Sequence, residues 1–201
     1  MTRRHSRRVV VGAALDEGVG GGHADTPSSA PAAARRSRQA GPASPTRRLP
    51  DEIDWRFCRF GELSPVELAR IYRARQQVFA VEQQCIYLDA DEYDELSYHL
   101  AAWSPEYALP LAYARLLNPG GKYAEPSIGR VLTTEPVRGL GLGRELVGRT
   151  IAHSAHTFAG MAIRISAQAR LERFYADFGF TSVGNTYLED GIAHQEMLRP
   201  A

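Results

Sequence analysis

Six residues in the C-terminal half of the chain, Arg138-Gly139-Leu140-Gly141-Leu142-Gly143, join a strand-like run to a stretch of helical periodicity. Glycines let the backbone approach a ligand closely, and the first amides of a helix lie at the positive end of its dipole. The segment therefore predicts a strand-loop-helix unit whose N–H groups bind an anion, with a tight ligand-free turn as the alternative. It is not a Walker loop, because no Gly-Lys-Ser/Thr follows, and its glycine spacing differs from the dinucleotide GxGxxG.

Apolar periodicity predicts the elements around this unit. Ser64, Pro65 and Glu67 supply an N-cap, a first-turn proline and a capping-box acid for a helix, and Gly179 is placed to end another. Strands are expected at 55–60, 98–103, 111–117, 127–133, 162–167, 181–188 and 193–198, and two further helices at 143–158 and 170–177. This order, without an internal repeat, predicts an α+β fold around one mixed sheet.

Composition divides the chain near Pro50. Residues 1–50 contain nine arginines, three acidic residues and no aromatic residue, a balance of +6 within a chain whose net charge is +1. Such a segment cannot bury enough apolar surface to offset its ordering entropy. We expect residues 1–50 to be a disordered basic extension and residues 51–201 to form the domain. Weak contact of the extension with nucleic acid is the minority alternative, and a twin-arginine signal at Ser6-Arg7-Arg8 is disfavoured by its short apolar stretch.

Other features exclude several classes of protein. Two cysteines, Cys58 and Cys85, are too few for a disulfide framework and predict reduced thiols in a cytoplasmic protein. No apolar run approaches the roughly 18 residues of a membrane span, so we expect no membrane partner. His153 and His156 lie three apart on a predicted helix but lack a third ligand, so no metal is expected. Cys85 as a nucleophile has no identifiable base, and homodimerisation is left open.

Further segments accompany the glycine loop in a fixed order. Gln168 and then Phe174-Tyr175, with Phe178-Gly179-Phe180 after them, follow it. Together they resemble the GNAT superfamily of acyl-CoA-dependent N-acetyltransferases over about residues 55–200. Residues 78–83, 113–115, 128–131, 167–169 and 189–194 resemble its ElaA branch. Gln168 stands where the family usually has an asparagine.

The resemblance implies a GNAT-type fold, a mixed, mostly antiparallel sheet with flanking helices and a splayed central strand pair. Strands 127–133 and 162–167 would part to admit the pantetheine arm of acetyl-CoA, the implied co-substrate. The residues implied to bind it are Val131, Leu132, Thr133, Arg138, Gly139, Leu140, Gly141, Leu142, Gly143, Arg144 and Gln168.

The implied reaction is direct attack of a neutral amine on the thioester, which requires a base for the amine and an acid for the leaving thiolate. Tyr175 is the candidate acid, and a packed core tyrosine is its alternative. The base stays open among Glu82, His99, Glu135, His194 and a water chain. Glu82 ranks first for substrate contact, with His99 and His194 as further candidates. His99 is at least as well explained as a hydrogen-bonded core histidine.

The expected acceptor is a small-molecule or peptide amine. An acidic run, Asp89, Asp91, Glu92, Asp94 and Glu95, would attract a cationic amine, although a solvated loop is the commoner explanation. A noncatalytic acyl-CoA-binding module is the main alternative function. An acyl-homoserine-lactone synthase is disfavoured, since those enzymes lack the glycine loop seen here.

Overall fold

The computed structural model describes residues 47–201, so the expected basic extension lies almost entirely outside the described residues. The first described residues already contact the rest of the domain. Arg47 forms an ion pair with Glu135 at 2.6 Å, and Leu49 packs against the core.

A mixed sheet lies at the centre of the domain. Within residues 47–201 its strands are β1 (Asp54–Arg59), β2 (Ser97–Trp103), β3 (Ala112–Leu117), β4 (Ser127–Thr133), β5 (Ile163–Gln168), β6 (Thr181–Ser182), β7 (Tyr187–Glu189) and β8 (Ile192–Arg199). Their order is β1-β2-β3-β4-β5-β8-β6, and β7 also pairs with β8. The β4–β5 pair is parallel and the remaining pairs are antiparallel, which confirms the predicted fold class.

Helices cover the sheet on both faces. α1 (Pro65–Arg75) begins with the predicted capping box, in which Ser64 Oγ accepts from the Glu67 amide and the Glu67 carboxylate accepts from the Ser64 amide. It continues into a π-helical segment, Gln76–Glu82, a type of distortion frequent at functional sites. α2 spans Leu142–Thr157, and α3 spans Glu172–Ala176 after a 3₁₀ turn.

Two apolar cores lie on opposite faces of the sheet. On one face, Leu146 and Val147 of α2 and Phe174 of α3 belong to the larger core. On the other, Ile71 of α1 and Phe79 of the π-helical segment pack with β-strand residues in a second core. The inner strands are therefore covered on both sides.

The region after Phe180 differs from its prediction. Instead of one strand at 181–188, two short strands, β6 and β7, each pair with β8. Gly184 lies between them with φ +75°, a left-handed conformation that interrupts an extended strand. A turn follows β7, where Asp190 and Gly191 both have positive φ.

β4 and β5 touch at one end and then separate. The one register pair that the described residues give them joins Ser127 to Arg164, supported by a 3.0 Å bond from the Arg164 amide to the Pro126 carbonyl. Further along, β4 carries one more residue than β3 between two neighbouring register pairs, and Arg130 adopts φ +54° there. This β-bulge bends β4. No register pair joins the carboxyl ends of β4 and β5 in the described chain, and the space between these ends is here called the gap.

Candidate functional site

The glycine loop forms an open turn at the start of α2. Gly139 and Gly141 have φ values of +76° and +86°, and a Cβ at either position would meet no atom within 4 Å among the described residues. Gly141 is the N-cap of α2 and has no side chain to occupy the helix's first amides. The Arg144 amide already donates to the Gly141 carbonyl at 3.0 Å, but the amides of Leu142 and Gly143 before it have no partner within the helix, so the loop presents donors to an anion.

Arg138 bridges this loop to the π-helical segment. Its Nε donates to the Thr133 carbonyl at 3.0 Å, and its Nη2 donates to Glu82 Oε2 at 2.6 Å. The predicted phosphate ligand and the first-ranked substrate contact are therefore paired with each other across the mouth of the gap.

The other predicted cofactor contacts surround the gap from β4 and α2. Val131, Leu132 and Thr133 are buried in β4, with Val131 in the larger core and Leu132 in the second core. Arg144, on the first turn of α2, is exposed, pairs with Asp177 at 2.9 Å and lies over the ring of Phe178.

Gln168 ends β5 on the far side of the gap. It is 1% exposed, and its Nε2 donates to Gln83 Oε1 at 3.3 Å, while its Oε1 accepts from Arg170 Nε at 3.0 Å. Gln168 therefore ties β5 to the chain that follows the π-helical segment, and its register partner on β8 is His194.

Tyr175 of α3 is 1% exposed and packs edge-on against Phe174 and Phe180, with ring centroids 5.1 and 5.9 Å away. Its hydroxyl is buried without a hydrogen-bond partner in the described chain. Burial raises the pKa of the phenol above its usual range, which keeps it protonated. A protonated donor without a partner is consistent with the predicted acid role and with a packed tyrosine.

A group of polar side chains, here called the β8 polar cluster, lies around the start of β8. Its members are Gln83, Ser166, Gln168, Tyr187, Glu189 and His194. Ser166 and Tyr187 share a short hydroxyl-hydroxyl hydrogen bond, and the Tyr187 ring stacks on His194. Gln83 Nε2, Glu189 Oε1 and His194 Nε2 are buried and have no partner in the part of the chain that the structure describes. Buried polar atoms are almost always bonded, so these three indicate a place for a ligand or water.

His194 has a definite donor pattern within this cluster. Its Nδ1 lies 2.9 Å from the Ile192 carbonyl, which can only accept a hydrogen bond. Nδ1 of the neutral ring is therefore the protonated nitrogen, and Nε2 carries a lone pair. A buried imidazole lone pair beside the gap is suited to accept a proton.

Comparisons with known proteins agree with the fold and site described above. The family model described as an acetyltransferase (GNAT) domain covers residues 90–199. The chain belongs to the GNAT acetyltransferase family. A UPF0039 protein of Synechocystis sp. is 46% identical over 147 residues, which cover 73% of this chain and 95% of that protein.

Solved GNAT structures agree. An acyl-CoA N-acyltransferase from Pseudomonas aeruginosa superposes with a TM-score of 0.70 at 36% identity, and Escherichia coli ElaA with 0.69 at 35%, each covering 74% of this chain and 99% of the other. The predicted fold and ElaA-like branch are confirmed. A CoA-dependent acyl-homoserine lactone synthase, at 14% identity and a TM-score of 0.62, shares the fold alone.

Membership of the GNAT family identifies the protein as an acyl-CoA-dependent acyltransferase.

No helix within residues 47–201 has the length and apolarity to cross a membrane. The same residues contain no group of three or more His, Cys, Asp or Glu side chains placed to hold a metal ion, and His153 stacks on Phe57. Cys58 and Cys85 are free thiols, and burial raises the pKa of Cys85, which disfavours a thiolate nucleophile.

His99 lies away from the gap of this GNAT domain, on β2. It is 1% exposed, and its ring nitrogens bond the Tyr113 hydroxyl at 2.7 Å and the Asp94 carbonyl at 2.9 Å. Burial lowers the pKa of His99 to about 4. These contacts agree with the alternative of a hydrogen-bonded core histidine, and the geometry gives no support to substrate contact. Glu135 is exposed and pairs with Arg47.

Sequence reasoning missed a buried charge network on the other side of β4. Arg75, Arg115 and Arg130 are each at most 2% exposed and pair with Asp89, Asp91 and Asp94 at 2.5 to 3.1 Å. Burial would raise the pKa of Asp94, but Arg75 and Arg115 outweigh it and lower that pKa to about 2. Three members of the acidic run are thus internal ion-pair partners, so neither the solvated loop nor the amine-attracting rim describes them.

Proposed function

We propose that the protein transfers the acetyl group of acetyl-CoA to the nitrogen of a small-molecule or peptide amine. The observation that carries the proposal is the coincidence of two features at one place. The open glycine loop at the start of α2 directly follows the strand that parts from β5. An anion-binding turn beside a gap between strands suits a cofactor with a pyrophosphate and a slender amide-bearing arm.

The cofactor residues have separate tasks in this proposal. The amides of residues 139 and 141–143 bind the pyrophosphate, while that of Leu140 donates to the Val137 carbonyl at 3.3 Å. Arg138 and Arg144 add positive charge at the loop's edges. Along Val131, Leu132 and Thr133 the backbone groups of alternate residues face the parted side of β4, and these groups bond the pantetheine amides as an added strand would. Gln168 lines the gap from β5.

Acetyl-CoA supplies the activated thioester. In the transfer step, the amine nitrogen forms a bond to the acetyl carbon while the carbon–sulfur bond breaks, and the thiolate leaves with that electron pair. His194 Nε2 accepts the proton that the nitrogen loses. Tyr175 donates its hydroxyl proton to the departing sulfur, which restores the thiol of CoA.

The cofactor site is tested by a matched pair of glycine substitutions in the full chain. Gly141 and Gly160 both have positive φ, and a Cβ at either position meets no described atom within 4 Å, so aspartate strains the two positions alike. Gly141→Asp places a carboxylate where the pyrophosphate would bind, whereas Gly160 lies beyond the other end of α2. Calorimetric titration should show acetyl-CoA binding that Gly141→Asp weakens at least about tenfold and Gly160→Asp leaves intact. Wild-type protein that binds no acetyl-CoA, or equal loss in both variants, would refute the site.

The catalytic role is tested by Tyr175→Phe. The hydroxyl that this change removes has no partner within residues 47–201, so stability should hold or rise slightly. We expect kcat to fall about 100-fold, with acetyl-CoA affinity retained. Unchanged kcat would assign Tyr175 to packing alone. Binding without turnover of any amine would favour a noncatalytic acyl-CoA-binding module.

A further inference from the structure

The β8 polar cluster contains a carboxylate whose charge is not balanced nearby. Glu189 Oε1 is buried and has no hydrogen-bond partner among residues 47–201, and Oε2 accepts a long 3.5 Å bond from Ser166. The adjacent Glu125 and Glu196 both pair with Arg164, at 2.9 and 3.2 Å. Of these three carboxylates, Glu189 is the one without an ion pair among residues 47–201.

The electrostatics of neighbouring groups point the same way. The pKa of Tyr123 is raised, first by burial and then by Glu196, Tyr187 and Glu189. Burial also raises the pKa of Cys85, and Asp190 in the β7–β8 turn adds to that rise. The Glu189 end of the cluster is therefore electronegative, whereas Arg170 adds positive charge at the Gln168 end, so a cationic group is favoured beside Glu189.

The pairing of β7 with β8 sets how far Glu189 lies from His194, the proposed base. Tyr187 lies opposite His194 in the β7–β8 register, and Glu189 lies opposite Ile192, two residues along the strand. Two strand residues span roughly 7 Å along the backbone, so a ligand of about that length matches the spacing of the two positions.

We propose that the acceptor is a short diamine, of which one nitrogen is acetylated beside His194 while the second, as an ammonium ion, binds Glu189. The proposal rests on the proposed acetyltransferase function and names its substrate class. A monoamine would leave the buried oxygen of Glu189 unpaired, and an amino acid of similar length would bring a second carboxylate against it. Both arrangements cost binding energy that the diamine retains.

Three probes of equal chain length isolate the second charge: the diamine putrescine, the monoamine butylamine, and γ-aminobutyrate. Acetyl-CoA binding to the full chain is first measured by calorimetry, and release of free CoA thiol then gives kcat/KM for each amine. We expect putrescine to exceed butylamine by roughly 10- to 100-fold, the contribution of one hydrogen bond to a charged group, and γ-aminobutyrate to be poorest.

Glu189→Gln and Asp190→Asn form the matched variants. Each removes one negative charge from the same turn, but only Glu189 has a buried, unpartnered oxygen among the described side chains. The first should reduce the preference for putrescine over butylamine to within about threefold, and the second should preserve it. Thermal unfolding establishes that both variants fold.

The outcomes distinguish failure of the diamine inference from failure of the proposed acetyltransferase function. Wild-type protein that does not bind acetyl-CoA would overturn both. Acetyl-CoA binding with equal rates for putrescine and butylamine, with a preference that survives Glu189→Gln, or with no turnover of putrescine, would overturn the diamine and leave the cofactor site standing.

Discussion

Two polar regions on either side of the gap differ in one respect. In the charge network of Arg75, Arg115, Arg130 and their aspartates, every charge has an ion-pair partner. In the β8 polar cluster, three buried atoms have none within residues 47–201. A buried polar group that is paired stabilises the fold, whereas a buried polar group without a partner indicates a place for a ligand or water. The same class of side chain thus has two roles, which single substitutions can separate.

The largest effect is expected at Asp94. Asp94→Asn removes a carboxylate from between Arg75 and Arg115, both of which it contacts. Leaving buried guanidinium groups under-compensated typically costs about 3–5 kcal/mol in the free energy of unfolding. Urea denaturation measures this loss, and the exposed neighbour Glu95→Gln serves as the control. A loss below about 1 kcal/mol for Asp94→Asn would remove the contrast between the two regions.

An effect of similar size should appear with pH at His99. Its folded-state pKa of about 4 lies below the usual value, so the unfolded chain binds an extra proton between that value and about 6.5. The stability that His99 contributes is complete above about pH 6.5 and falls by about 3 kcal/mol as the pH drops to about 4. Denaturation at stepped pH should show this slope, and His99→Gln should flatten it. An unchanged slope would mean that His99 is not the group responsible.

A smaller effect of opposite tendency is expected at Glu189. Glu189→Gln makes the same change from carboxylate to amide as Asp94→Asn, but at a group without an ion-pair partner in the described chain. Its stability should stay within about 1 kcal/mol of wild type, or rise, because a buried unpaired charge becomes neutral. Paired urea curves of the two variants test this directly. Equal destabilisation would show that Glu189 supports the fold.

The smallest change in the free energy of unfolding is expected at an exposed ion pair, which serves as a reference for the buried groups. Glu145 and Arg149 form an exposed pair one turn apart on α2, at 2.8 Å. Glu145→Gln should cost no more than about 0.5 kcal/mol, and high salt should abolish the difference. A larger loss would imply that ionic contacts in this domain are strong at the surface as well as inside.

Local signals in the sequence predicted the fold well. The capping box at Ser64 and Glu67, the alternating strands and the glycine loop each act over a few residues, so their patterns are legible. The network was not predictable, because Arg75 lies in a helix and its partners lie 14 and 19 residues away in a run that resembles a solvated loop.

The candidate site was predicted in part for the same reason. The loop glycines and Tyr175 belong to contiguous motifs. The pairing of Arg138 with Glu82 spans 56 residues, and the missing partners of Gln83 and Glu189, within the described chain, follow only from three-dimensional packing. No spacing in a sequence records that a buried atom is unbonded.

The charge network also constrains how such a sequence can drift. Its three arginines and three aspartates sum to zero, and Asp89 and Asp94 each contact two arginines. Losing one member leaves another charge buried without its partner. Replacing the whole set by apolar side chains of similar volume can be neutral for stability. We therefore expect these six positions to be inherited as a block, so that a descendant chain retains the entire set or exchanges it in a few coordinated steps.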